Sequence, residues 1–219
     1  MTTTFVLRNF DLKKLVLNKW FWVVFSLFMF GFPIYKSVNR TLPPEIPRLF
    51  QIPDFTLISE NGKNFDWSSL RGRFVIVNFH FTRCPTICKN LMTATQEVQK
   101  RVRGLGDKVA IISISVDPEF DIPEVLTSHA LELKANPLIW RFLTGSKNQT
   151  EKVVMQYFKS PMAKDVIKES SIFDIAHSGS FYLVDDEGWL RSIYTSKKDN
   201  LDKMMIDLGL MVNRLYYKK

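Results

Sequence analysis

The amino-acid sequence predicts a mixed α/β domain that follows a single N-terminal transmembrane helix. Strongly apolar runs of strand length alternate with segments of helical periodicity, and a hairpin pattern followed by a helix closes the chain. Upstream, the run Trp20–Tyr35 contains sixteen residues and no charge. Strands that alternate with helices and end in a hairpin are typical of a central mixed sheet flanked by helices.

Composition supports a folded domain and excludes several classes of protein. With 46% hydrophobic and 24% charged residues, the 219-residue chain can bury a sizeable core and is neither disordered nor a polytopic membrane protein. Two cysteines are too few for a disulfide-dense mini-domain or a four-thiolate zinc site. The first 40 residues carry +5 of the net charge of +8. The remainder therefore has no strongly basic face, and we expect no nucleic-acid binding.

The apolar run Trp20–Tyr35 is predicted to be an uncleaved membrane anchor. Lys19 and Lys36 close it at both ends, and no Ala-x-Ala cleavage site follows. A buried core helix is the alternative, but the run has no polar face. The excess of basic residues before it places the N-terminus in the cytoplasm and the domain in an oxidising compartment. The predicted organisation is a cytoplasmic segment, an anchor, a Pro-rich linker and a domain: residues 1–19, 20–35, 36–47 and 48–219.

The first elements of the domain are a small hairpin and a buried strand. Residues 52–70 carry short alternating stretches around the Asn61-Gly62 turn signal. Phe74–Phe81 is almost continuously apolar, as expected of a buried central strand. A helical pattern over 87–103 follows and is ended by glycines.

A second buried strand, Val109–Val116, begins the rest of the domain. The mixed segment 159–174 is predicted to be a surface insertion. The other elements are, in order, a helix, a short strand, a helix, a hairpin and a final helix: 123–134, 138–143, 147–158, 180–194 and 200–216.

The two cysteines, Cys84 and Cys88, lie in FTRCPTICKN, just past the first central strand, where a helix begins. Open α/β folds place their sites at the carboxyl ends of strands, and a helix N-terminus favours thiolate. Residues four apart on a helix have Cβ atoms about 5–6 Å apart, whereas a disulfide needs about 3.5–4.5 Å. A shared metal ion spans that gap with less distortion. A redox-active or a purely structural disulfide remains possible if the first turn distorts.

The three histidines do not stand out by themselves. We assign His80 to an alternating strand position and His129 to a helix surface, with structural roles for both. His177 lies in FDIAHSGSFYLVDDEG, directly before the hairpin. A soft set of two cysteines and one histidine would favour copper, with zinc as the common competitor.

Four motifs, in this order and spacing, resemble the Sco/SenC family: FTRCPTICKNLM, SVDPEFDIP, WRFLTG and HSGSFYLVDDEG. The resemblance covers about residues 46–215, and the N-terminal anchor agrees with it. It implies a thioredoxin-like fold and a copper ion bound by Cys84, Cys88 and His177. It also implies a role in assembling the binuclear copper centre of cytochrome c oxidase, with the copper-centre subunit as partner. The protein would be a single-pass inner-membrane protein with its domain on the periplasmic or intermembrane-space side.

The sequence departs from the family pattern at two positions beside the predicted ligands. Lys89 replaces a proline after the second cysteine, and Ala176 replaces an aspartate before the histidine. Neither change removes a ligand. Asp117 and Asp121 match family acids in SVDPEFDIP, but they could equally be a strand-end turn residue and a helix N-cap.

Two functions compete. The first is a membrane-anchored copper chaperone, which is not an enzyme. The second is a thiol–disulfide oxidoreductase that reduces the cysteines of an oxidase subunit through Cys84 and Cys88. A thiol peroxidase is weaker, because no clear Thr-x-x-Cys arrangement is present. His177 separates the first two, since a three-coordinate copper site needs it and thiol exchange does not.

Overall fold

The N-terminal described segment is one long apolar helix. The computed structural model describes residues 17–39, 44–84, 87–158 and 179–217. The chain divides into two compact units, Met1–Pro44 and Glu45–Lys219. In the first unit a helix of 20 residues, Lys19–Val38, buries none of its side chains. At about 1.5 Å per residue it is about 30 Å long, the thickness of a bilayer hydrocarbon core. By length and composition it could span a membrane.

This helix contains one irregular turn. Helix α1 (Lys19–Ser26) and helix α2 (Phe32–Val38) are joined by a π-helical turn over Leu27–Gly31. Pro33 explains the irregularity, because it has no N–H to donate to the carbonyl four residues earlier. At the other end, the Asn18 side chain caps α1 by accepting a hydrogen bond from the Trp20 N–H at 3.0 Å.

The second unit is built on an eight-stranded mixed sheet with the order β1-β8-β7-β4-β5-β6-β2-β3. Strands β4, β5 and β6 are parallel, and all other neighbouring pairs are antiparallel. The central strands β4 and β5 are buried along their whole length, as their apolar runs predict. The strands are β1 (Phe50–Gln51), β2 (Thr56–Ser59), β3 (Asn64–Asp66), β4 (Phe74–His80), β5 (Val109–Ser115), β6 (Trp140–Thr144), β7 (Ser180–Val184) and β8 (Trp189–Thr195).

Helices cover both faces of this sheet. One face packs against three helices: α3 (Ile87–Val102), α4 (Pro123–Glu132) and α6 (Lys198–Tyr217). The other face packs against a 3-10 turn, Trp67–Leu70, and against the π-helical turn Val153–Tyr157 that continues α5 (Lys147–Lys152). A 3-10 segment, Arg103–Lys108, joins α3 to β5. Apolar side chains alternate between the two cores along β4 and β5, because successive strand residues point to opposite faces.

The order of elements predicted from the sequence is confirmed, with small shifts at the ends. The strand predicted from Leu138 begins only at Trp140. The residues before it form a turn, in which the N–H groups of Ile139 and Trp140 both bond to the Asn136 carbonyl. The predicted insertion at 159–174 lies outside the described residues.

A buried polar strip runs along the face of β4 and β5 that packs against α3 and α4. It comprises four fully buried residues: Asn78, His80, Ser113 and Ser115. The Asn78 amide donates to the Thr95 hydroxyl at 3.1 Å, and the Trp140 indole N–H donates to the Ser113 hydroxyl at 2.8 Å. The strip leads along the strands toward the end of β4, where the first cysteine follows.

The imidazoles of His80 and His129 stack on each other, with centroids 5.8 Å apart and planes 11° from parallel. The surface position predicted for His129 is therefore wrong. Its side chain is only 17% exposed, because this side of α4 packs over the end of β4. Neither ring nitrogen of His80 has a hydrogen-bond partner among the described residues. Burial, and then the neighbouring His129, lower the pKa of His80 to about 3.

Helix α4 ends in a Schellman motif with an unusual residue. The N–H of Ala135 bonds to the Ala130 carbonyl at 2.9 Å, and the N–H of Lys134 bonds to the Leu131 carbonyl at 3.0 Å. Lys134 has φ +53°, and it is the one non-glycine residue with positive φ in the described chain. Glycine is preferred at this position because a Cβ atom crowds the backbone there.

A buried arginine fixes the segment that leads into the sheet. Arg191 in β8 is 4% exposed. It donates to the Asp185 carboxylate at 3.0 Å, to the Glu45 carboxylate at 3.0 Å and to the Ile46 carbonyl. The start of the second unit is therefore held against the first residues of β8.

We expect acid to destabilise the protein through His80. The unfolded chain takes up this proton near pH 6.5 and the folded protein only near pH 3. The unfolded state is thus favoured as pH falls below 6.5, by about 2 kcal/mol between pH 7 and pH 5. His80→Leu removes this term, so urea unfolding should show a smaller loss of stability over that range. Equal losses in wild type and variant would contradict the prediction.

Candidate metal centre

The first cysteine lies in a turn between β4 and α3. Cys84 is 5% exposed, and its N–H donates to the Phe81 carbonyl at 3.3 Å. Helix α3 begins three residues later, at Ile87, and has no acidic residue in its first turn. The partial positive charge at this helix N-terminus favours thiolate over thiol.

The buried Asp121 carboxylate holds this turn in place. Asp121 is fully buried. It accepts a hydrogen bond from the Thr82 N–H at 3.1 Å, a second from the Thr82 hydroxyl, and a third from the Ser115 hydroxyl at 2.5 Å. Hydrogen bonds to a buried carboxylate are strong because the acceptor is charged. The cysteine turn is thus tied to the end of β5.

A second acid, Asp117, holds the residue next to Cys84. Its carboxylate accepts hydrogen bonds from the Arg83 Nε and Nη2 at 3.0 Å and 2.5 Å. The Arg83 guanidinium also lies over the Phe120 ring, 4.3 Å from its centroid. The Ser115 hydroxyl accepts the Asp117 N–H at 3.1 Å, which links the two acids.

These contacts decide between the roles that the sequence leaves open for the two acids. The helix N-cap role of Asp121 is wrong, because Ile122 precedes α4 and no side chain caps that helix. Asp117 does form the strand-end turn, since its carbonyl accepts the N–H groups of Phe120 and Asp121. Both side chains position the Cys84 turn. Ser115, the other anchor, could have been suspected as a polar residue in an apolar strand.

Cys84 opens into a pocket of about 350 Å³ between α3 and α4. The other side chains around it are mixed in character and include Lys89, Met92, His129 and Glu132. Lys89, one of the two departures from the family pattern, therefore brings a positive charge to the pocket of the first cysteine. Within the described ranges, no three Cys, His, Asp or Glu side chains lie close enough together to hold a metal ion.

The other two predicted ligands are described only in part or not at all. Cys88 lies in the first turn of α3, and its side chain is outside the description. His177 and the neighbouring Ala176 lie outside the described residues. The description resumes at Gly179, whose carbonyl accepts the Ser196 N–H at 2.9 Å. Strand β7 follows at once and runs antiparallel to β4, so it begins at the edge where β4 ends.

A cysteine turn at the carboxyl end of a central strand and at the start of a helix defines a thiol-bearing α/β protein. Comparison with known proteins identifies the family: the model described as SCO1/SenC matches residues 46–212. The chain belongs to the SCO1/SenC family.

Individual relatives agree with this assignment. A SCO1 protein homologue from Bacillus subtilis is 34% identical over 143 residues, which are 65% of this chain and 72% of the relative. The chain spans about half the length of two yeast relatives, 51% and 44%.

Solved structures confirm the thioredoxin-like fold of the family. BsSco, whose structure is described as containing a disulfide switch, is called a member of the Sco family of cytochrome c oxidase assembly proteins. It superposes with a TM-score of 0.61 at 31% identity, over 76% of this chain and 95% of that one. ScoI from Bradyrhizobium japonicum with copper bound gives a TM-score of 0.58 at 25% identity, over 74% and 99%.

We expect the Asp121→Asn variant to loosen the cysteine turn. The amide has one acceptor oxygen instead of two and no charge, so it cannot satisfy all three donors. The free energy of unfolding should fall by about 1–3 kcal/mol, and Cys84 should be alkylated faster in the reduced, folded protein. Glu119→Gln is the matched control, because that side chain is 75% exposed on the same loop. Unchanged Cys84 reactivity in Asp121→Asn would show that the carboxylate does not hold the turn.

Proposed function

We propose that this protein is a membrane-anchored copper chaperone that binds a copper ion through Cys84, Cys88 and His177. It delivers the ion to the copper-centre subunit of cytochrome c oxidase. The observation that carries the proposal is the Cys84 turn, which two acids hold at the start of α3 in a chain of the SCO1/SenC family.

The donor chemistry fits copper. Two thiolates and one imidazole form a soft, low-coordinate set of the kind that favours copper over harder ions. Cys84 lies in the turn before α3 and Cys88 in the first turn of that helix, and a shared ion can bridge two such thiolates without the close approach that a disulfide needs. ScoI of Bradyrhizobium japonicum, a relative with the same fold, is solved with copper bound.

The connectivity of the chain supports His177 as the third ligand. His177 is two residues before Gly179 in the sequence. Gly179 precedes β7, which starts at the edge of the sheet where the Cys84 turn lies. Two peptide units reach at most about 7.6 Å between Cα atoms. This short link to β7 supports His177 as a ligand beside the Cys84 turn.

Thiol–disulfide exchange is the second candidate function. One observation favours it: the BsSco structure is described as containing a disulfide switch. Here Cys84 and Cys88 would reduce the cysteines of an oxidase subunit, and His177 would be dispensable. The two functions are compatible, because thiols must be reduced before they can take up a metal ion.

The anchor completes the proposal. The helix Lys19–Val38 is long and apolar enough to cross a bilayer once. We place the second unit outside the inner membrane, on the periplasmic or intermembrane-space side. Such compartments are oxidising, so the cysteine pair would need reduction before each loading with copper.

We expect His177→Ala to weaken copper binding by at least about tenfold, since even the loss of a residue that only contacts a metal ligand lowers metal affinity by about that factor. The fold and the disulfide chemistry of Cys84 and Cys88 should remain, and assembly of the oxidase copper centre should fail. The measurement is copper competition against a chelator, run beside disulfide reduction kinetics on the same variant. Glu119→Gln is the control, because that side chain is 75% exposed and is not a proposed ligand.

Two outcomes would contradict the chaperone. Unchanged copper affinity and intact oxidase assembly in His177→Ala would exclude the chaperone and favour thiol–disulfide exchange as the function. Equal alkylation of Cys84 and Cys88 with and without copper would show that the pair is not the metal site.

The anchor is tested by topology. We expect the full chain to remain in the membrane after alkaline extraction, with its original N-terminus and with residues beyond Glu45 accessible to protease only from the outer side. The apolar length and the missing cleavage site are the reasons. A soluble domain with a new N-terminus near residue 36 would contradict the anchor.

A further inference from the structure

A basic pocket lies at the end of the domain opposite to the cysteine turn. Its volume is about 240 Å³, and its side chains come from the last turns of α3 and from the loop between α4 and β6. Three of the six lining residues, Lys100, Arg103 and Lys134, are cationic and none is acidic; the others are Gln99, Asn136 and Ile139. Helix α3 separates this pocket from the cysteine turn, because Lys100 is thirteen residues beyond Ile87, or about 20 Å along the helix axis.

The three cations of this pocket have no ion-pair partners within the described ranges. Salt bridges there involve other arginines and lysines, and no acid lies within 4.0 Å of Lys100, Arg103 or Lys134. Asp107, in the 3-10 segment after α3, interacts with Arg73. Burial lowers the pKa of Arg73, and the charge of Asp107 partly offsets this effect. The pocket therefore concentrates positive charge that the protein does not neutralise.

One of the cations is kept at a position that disfavours it. Lys134 occupies the left-handed position of the Schellman motif, with φ +53°. Glycine would relieve the backbone strain there, so a lysine suggests a role for its side chain. The surrounding wall is fixed: the Gln99 amide accepts the Asn136 N–H at 2.7 Å and donates to the Lys134 carbonyl at 3.3 Å.

The pocket lies at the edge of the sheet where the chain enters the domain. Arg73, which directly precedes β4, donates to the Val109 and Leu138 carbonyls at 2.9 Å and 3.4 Å, next to the pocket. At the same edge, Phe74 lies beside Glu45, the first residue of the second unit. Only six residues separate Glu45 from Val38, the last residue of the apolar helix.

We propose that this pocket binds the phosphate group of an anionic lipid headgroup. The proposal rests on the anchoring proposed above, because a chain that is anchored in a membrane meets lipid headgroups at a high local concentration. A phosphate can accept hydrogen bonds from an arginine and two lysines at once. Free phosphate shares this chemistry, so the experiment must distinguish the two sources. Binding of either source should weaken with salt, since exposed charges are screened over about 10 Å at 0.1 M.

The experiment uses the full chain reconstituted into vesicles of phosphatidylcholine, alone or mixed with phosphatidylglycerol. The readout is the rate of acylation of individual lysines, measured by peptide mass spectrometry. Each lysine or arginine near an anionic membrane surface strengthens binding of the protein to that surface about fivefold. Lys100 and Lys134 should therefore react at least about fivefold more slowly in the anionic vesicles, and salt should abolish the difference. Lys147 is the control, because its side chain is 63% exposed at the opposite edge.

Variants separate binding from folding. Lys134→Gly should raise the melting temperature, because it relieves the strained backbone, and should still reduce the protection of Lys100 about fivefold. Arg103→Gln should reduce the protection of both Lys100 and Lys134 about fivefold, whereas Lys147→Gln should leave the protection of both lysines unchanged. A stabilised Lys134→Gly that keeps full protection of Lys100 would overturn the role of Lys134.

The remaining outcomes are decisive. If inorganic phosphate protects the lysines in phosphatidylcholine vesicles as well as phosphatidylglycerol does, the lipid assignment is overturned in favour of free phosphate. If neither protects them, the anion site is overturned. Copper affinity is measured on the same variants and should equal that of wild type, so failure here leaves the copper site untouched. Loss of the chain from neutral vesicles would overturn the anchor and this proposal together.

Discussion

The candidate site depends on one buried carboxylate. Asp121 is inaccessible to water and accepts all its hydrogen bonds from Thr82 and Ser115. A buried charge is tolerated only when it is bonded in this way, so the end of β5 and the cysteine turn stabilise each other. The geometry of Cys84 is therefore set by a residue 37 positions later in the sequence. The position of the first cysteine thus depends on the packing of the two central strands.

The pocket beside Cys84 carries a positive charge. Lys89 lines the same pocket as the cysteine. A positive charge near a thiol favours the thiolate, which is the form that binds metal and attacks disulfides. This charge supports both the chaperone and the reductase chemistry. His129, which lines this pocket, stacks on the buried His80, whose ring nitrogens have no hydrogen-bond partner among the described residues.

The two ends of the second unit carry different chemistry. The cysteine turn occupies the edge where β4 and β5 end, and the basic pocket occupies the edge where they begin. Helix α3 connects them, with Cys88 in its first turn and Lys100 near its last. Because the entry segment is fixed by Arg191 at the second edge, the cysteines lie at the end of the domain away from the point where the chain enters.

Local sequence patterns predict the fold class, the order of the elements and the place of the first cysteine after a central strand. Those features depend on local patterns, such as the apolar runs of β4 and β5 and the turn signals between elements, which are written in neighbouring residues. The roles of Asp117, Asp121 and His129 depend instead on contacts between distant parts of the chain. For Asp121 the sequence allows a helix cap as readily as a functional role, and for His129 it predicts a helix-surface position, because a local pattern cannot show which strand end or which ring lies opposite. Their partners, Arg83, Thr82 and His80, are brought to them only when parallel β4 and β5 align and α4 packs across their ends.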